Sequence, residues 1–160
     1  MRYNLAEGAA FAVRSAYLDL LDLISSSAAG HSEVECESLQ LEAEKFVVAM
    51  IASIVLADGQ IRQEEADFLC DLLNISKVRE DAVRYVNEYA SRWSIISANV
   101  PKFFSHAAEH DREAAQAMLR MIQLIGNNAS IPDRDFSASE HQAVQKCIGQ
   151  LEAELGRHNR

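Results

Sequence analysis

Two short stretches hold the residue types and spacings from which chemistry could be built. In "IVLADGQIRQEEADFL", residues 54–69, Asp58, Gly59, Ile61 and Glu65 have the spacing of the last four landmarks of a calcium-binding EF-hand loop. A full loop also needs oxygen ligands at its first and third positions; these would be Ile54 and Leu56, so the stretch is not an EF-hand. Two readings remain. As a helix corner, Gly59 takes the left-handed conformation that ends a helix, Asp58 accepts from unsatisfied N–H groups of the next helix, and Ile61 plugs the hairpin. As a weak cation site, Asp58, Glu64 and Glu65 are completed by Asp133, Asp135 and Glu140. Such carboxylates suit Mg²⁺ or Ca²⁺, and a nearby His would admit Zn²⁺.

The second stretch is "HAAEH", residues 106–110, which has the H-x-x-E-H order of inverted zinc peptidases. Its imidazoles at i and i+4 share one helical face. A catalytic zinc needs a third protein ligand, for which Glu113 and His141 are the candidates. A helical zinc hydrolase using His106, Glu109 and His110 is therefore the alternative to a non-catalytic role. On the bland reading the histidines sit near a helix end, Glu109 faces solvent, and adventitious zinc or nickel binding is expected rather than catalysis. G-x-S-x-G, P-loop and dinucleotide fingerprints are absent from the sequence.

Positioning either set requires a fold, and the composition bounds it. The 160 residues suit one domain with a sizeable core. A net charge of −9 disfavours nucleic acid and anionic lipid, which need clustered Lys and Arg, and favours cations and basic protein surfaces. Cys36, Cys70 and Cys147 lie far apart with no C-x-x-C pair, so neither a disulfide framework nor a zinc ribbon is expected, and a reducing cytoplasm is the simplest setting. Glu7, Arg14 and Asp19 interrupt what would otherwise resemble a secretory leader. The longest apolar run, "FVVAMIASIVLA" at 46–57, falls short of the about 20 residues of a membrane-spanning helix and reads as a helix buried on all sides, with Val47, Met50, Ile51 and Ile54 in the core.

Period-two alternation is almost missing, while Ala, Leu, Glu and Gln abound, so the chain is expected to be an all-α bundle of about seven helices. The first covers about 5–26. A second, capped by Ser32 with Glu35 as its capping-box partner, carries the apolar run and stops at Gly59. A third covers 62–73, and Ser76 caps a fourth through Trp93. Asn99 is expected to cap the fifth, with Pro101 in its first turn, and a sixth closes near Gly126. The last starts at Ser137, pairs it with Glu140, and buries Val144, Ile148, Leu151 and Leu155. The Met118–Met121 segment reads as core, and Trp93, Tyr85 and Tyr89 as an interface with their polar atoms reaching solvent.

Two windows of this plan match each other. Asp58, Ile61, Glu65, Leu69 and Leu73 correspond to Asp133, Phe136, Glu140, Val144 and Ile148 at a constant offset of 75 residues. They define an internal helix-hairpin pseudo-repeat, with corners at 58–73 and 133–148, inside a single domain. The combination resembles the TerB-like tellurite-resistance family, whose signature is A-D-G, a small apolar residue and then Glu, here Ala57, Asp58, Gly59, Ile61 and Glu65. The resemblance spans about residues 42–155. In the second copy Arg134 replaces the glycine, and Pro132 with "NNAS" lengthens the loop. What it implies is a non-enzymatic cytoplasmic protein with an acidic surface that binds divalent cations or protein partners in a stress response; related domains accompany J-domain co-chaperones. A structural module that dimerises through an apolar face, with an apolar small-ligand pocket, is the third reading.

Overall fold

The computed structural model describes residues 7–27, 33–55, 63–75, 79–130 and 138–157; among them are eight helices and no strand. These are α1 (Glu7–Ser27), α2 (Glu33–Val55), α3 (Gln63–Leu72), α4 (Arg79–Ser91), α5 (Trp93–Ile96), α6 (Lys102–His110), α7 (Arg112–Ser130) and α8 (Ala138–Arg157). The expected all-α bundle is what forms. Its additional element is α5, a single turn that follows α4 and turns Trp93 inward. Among the described residues no helix is long and apolar enough to cross a membrane.

α2 is the axis of the bundle, in contact with α1, α4, α5, α6, α7 and α8. Its second half has no polar stripe to spare: residues 46–52 are all at most 1% exposed, including Val47, Met50 and Ile51. The Ile54 side chain lies outside the described residues. α1 lies along α7 in the most extensive pairing of the molecule. Val13, Ala16, Tyr17, Leu20 and Ile24 on α1 and Ala115, Met118, Ile122 and Ile125 on α7 are buried at helical spacing, so each helix has one stripe in the core. α3 packs on α4 and α1, whereas α8 packs on α7, α6 and α2.

At two helix ends the residues expected to make them do not. Asn99 does not cap α6: Pro101 occupies that position, at φ −63° and ψ 147°, without a side-chain cap of its own. The first two N–H groups of α6 are instead met from α2, where the Glu42 carboxylate accepts from Lys102 N at 3.1 Å and Phe103 N at 2.8 Å. Gly126 does not close α7, which runs on to Ser130; Gly126 is buried within the helix, and Asn128 turns its amide back onto the Leu124 carbonyl at 2.8 Å. Between α6 and α7 one residue makes both ends. Asp111 N–H donates to the Ala107 carbonyl at 2.7 Å, while its Oδ1 accepts from Ala114 N at 3.2 Å as the cap of α7.

α3 ends in a Schellman motif. Asn74 adopts φ 55°, its N–H donates to the Asp71 carbonyl at 3.2 Å, and Ile75 N–H donates to the Cys70 carbonyl at 2.8 Å. α3 and α8 begin at Gln63 and Ala138, separated by the offset of the proposed repeat. The corners that define that repeat, with Asp58, Ile61, Asp133 and Phe136, lie outside the described residues, as do the expected caps Ser32, Ser76 and Ser137.

Candidate functional site

The carboxylates proposed as a cation site divide between two elements. Glu64 and Glu65 sit in the first turn of α3, and Glu140 in the first turn of α8. Their side chains, like Asp58, Asp133 and Asp135 altogether, lie outside the described residues. α3 packs on α4 and α1, and α8 on α7, α6 and α2.

The "HAAEH" residues form the C-terminal half of α6 and do share a face. The rings of His106 and His110 are 4.7 Å apart between centroids, with His106 half-buried and His110 exposed. Glu109 is exposed, its Oε2 3.8 Å from His110 Nε2. Among the described residues no group of three His, Cys, Asp or Glu side chains is placed to hold a metal ion, so a third ligand does not join this pair there. Glu113 points into solvent from the first turn of α7, and the His141 side chain lies outside the described residues.

Two concave sites are present whose places the sequence did not reveal. The larger, of about 520 Å³, lies between α2, the end of α4, α5 and the turn before α6. Phe46, Ile96, Val100 and Pro101 give it apolar walls, and Ile95, 70% exposed, stands at its rim. Lys45 and Arg92 border it. Lys45 Nζ and Arg92 Cζ each lie 5.7 Å from the centroid of the Tyr89 ring, within cation–π range. Arg92 also pairs with Glu88 at 3.0 Å, whereas Lys45 has no carboxylate partner among the described residues. Glu42 lines the same cavity, but both its oxygens are taken by the N-terminus of α6. Behind the wall, Phe46 meets Trp93 and Phe103 edge to face at 5.6 and 5.9 Å. Contrary to expectation, the Trp93 indole nitrogen is buried and finds no acceptor among the described residues.

The smaller site, about 330 Å³, is a groove between α1 and α2 closed at one end by Leu73 and Asn74. Leu18 and Leu41 line it and remain 43% and 48% exposed. Glu37 and Glu44 edge it. Its floor is fixed by Gln40, whose amide donates to Ser25 Oγ at 2.7 Å and so ties α2 to α1. Glu44 also acts inward: burial first, and its negative charge second, hold the Tyr17 and Tyr85 hydroxyls well above the usual phenol pKa.

With this geometry the chain was compared with known proteins. No protein-family model, curated protein or solved structure matches it. The TerB-like resemblance therefore rests on the residues quoted for it.

The residues that shape both concave sites escaped the sequence reading for one reason. The run "EVECESLQLEAE" reads as a solvated face, and Glu35 and Glu37 are indeed exposed. Glu42 and Glu44 from the same run are half-buried and turned toward α6 and toward Tyr17 and Tyr85. Only their positions four and two residues before the buried Phe46 could have hinted at this.

Proposed function

We propose that the protein is a non-catalytic association module, TerB-like in its corner motif and working in the cytoplasm, that docks a basic amphipathic helix of a partner protein. The observation that carries this reading is the α1–α2 groove, where Leu18 and Leu41 are presented to solvent between Glu37 and Glu44. Burying two half-exposed leucines supplies roughly 2–4 kcal/mol of attraction. Glu37, the exposed carboxylate at the edge, selects Lys and Arg on the incoming helix, in keeping with a net charge of −9. The weak divalent-cation site at Asp58, Glu64 and Glu65, completed by Asp133, Asp135 and Glu140, belongs to the same proposal and rests on sequence alone.

The test uses two model helices with the same leucine face, one flanked by lysines and the other by glutamates. The lysine form should bind, more weakly as salt rises, and Leu41→Glu should lose it while keeping its helical circular dichroism. Equal binding of both helices would sink the proposal. A dimer in sedimentation that Leu41→Glu dissolves would give the groove to a second copy of the chain instead. The cation part is read separately: Ca²⁺ or Mg²⁺ should raise the wild-type melting midpoint but not that of Asp58→Asn, and an unchanged wild-type midpoint rejects it.

A further inference from the structure

The cavity between α2, α4 and α5 combines features with no structural use for one another. Its walls are apolar: Phe46 is 1% exposed, Pro101 is buried, and Ile96 and Val100 are half-buried. Its volume, about 520 Å³, falls in the range of small-molecule sites rather than of packing defects. Beside these walls stands a half-buried ammonium, Lys45, without a carboxylate partner among the described residues. The chain holds 24 acidic residues against 15 Lys and Arg, so an unpaired lysine is not forced by a shortage of carboxylates. Its neighbour one turn back, Glu42, is committed to the N–H groups of Lys102 and Phe103.

We propose that this cavity binds a small amphiphilic monocarboxylate, with its hydrocarbon chain against Phe46, Ile96, Val100 and Pro101 and its carboxylate on Lys45. Tyr89 holds the lysine in place by the cation–π contact, so less side-chain entropy is lost when the anion arrives. Arg92, exposed between α4 and α5, lies over the same ring and keeps guanidinium N–H groups beyond the one that meets Glu88. It adds a second positive charge at the mouth. A neutral ligand of the same shape would fill the walls but leave the lysine unmet, and a cationic one would be repelled by both side chains. The site is separate from the α1–α2 groove and does not depend on it.

Decanoate is a suitable probe, with decanol as its uncharged counterpart and titration calorimetry as the readout, below the concentrations at which either aggregates. Trp93, the single tryptophan of the chain, meets Phe46 of the cavity wall edge to face and reports by its emission whether the ligand arrives there. Wild type should bind one decanoate per chain, at least tenfold more tightly than decanol, with a change in Trp93 emission. Lys45→Met keeps an unbranched stem without the ammonium and should bring decanoate down to the level of decanol while leaving decanol unchanged. Ile96→Phe, which narrows the cavity from a half-buried position, should weaken both, and helical circular dichroism establishes that each variant is folded. The proposal is overturned if wild type fails to bind decanoate or binds decanol as tightly. It is equally overturned if several molecules adsorb per chain, or if folded Lys45→Met binds decanoate as wild type does.

Discussion

Asn74 shows how much one side chain can decide. Its φ of 55° is a conformation that costs an ordinary L-residue about 1–2 kcal/mol and that asparagine and glycine tolerate. Asn74→Ala should therefore lower stability by about 1 kcal/mol in urea denaturation, and Asn74→Gly by much less. Equal losses would mean that the asparagine acts through its amide and not its backbone. The signal was in the sequence, as an asparagine just beyond the last apolar residue of α3, in "CDLLNI". Asp58 lies at the opposite extreme, since its residue type and spacing fit a helix cap and a cation ligand equally well, and only its neighbours in space could separate the two.

Among elements, α2 is the one whose sequence spoke most plainly. A run apolar but for Ser53 and too short for a membrane has to be enclosed by other helices, and Ile51 is 0% exposed. Ile51→Ala should cost roughly 2–5 kcal/mol by equilibrium unfolding, and a loss below about 1 kcal/mol would contradict its place at the axis. Helix number and type were legible for the same reason: period and propensity are local properties. Ends were less so. Asn99 has the chemistry of a cap, but the chain turns at Pro101 and α6 draws its cap from a residue 60 positions earlier. Gly126 has the chemistry of a stop, yet it is buried in α7, where the helix continues through it. An apolar pocket was legible only as a possibility of the bundle, and its place was not, because the lining comes from residues 42–46 and 89–101, which only the tertiary fold brings together.

The whole molecule carries several ionisable groups whose burial favours their neutral forms. Burial pushes the Cys147 thiol from 9.0 up to about 11, and it raises the Tyr17 and Tyr85 hydroxyls, with Glu44 adding to the effect. In the unfolded chain these groups ionise from pH 9 and pH 10 upward, so above pH 9 the unfolded state holds fewer protons than the folded one. Stability from these groups is thus complete below pH 9 and falls as pH rises toward and past 11. Cys147 accounts for about 1–2 kcal/mol of that fall near pH 11. Urea midpoints below pH 9 and near pH 11 should show the decline, and Cys147→Ala should have a shallower one; parallel declines would place its origin elsewhere.

The Glu42 carboxylate on the N-terminus of α6 also has a consequence in time. It joins residues 60 and 61 positions apart, so it can form only after a long stretch of chain has closed and α2 has docked. Until then the first turn of α6 has no protein acceptor from α2 and frays, whereas the one-residue joint at Asp111 is local and can form early. Glu42→Ala should cost about 0.5–2 kcal/mol. In stopped-flow chevrons most of that cost should appear as faster unfolding, with the refolding rate nearly unchanged. A refolding rate that drops by the full amount would instead place the α2–α6 contact in the folding nucleus.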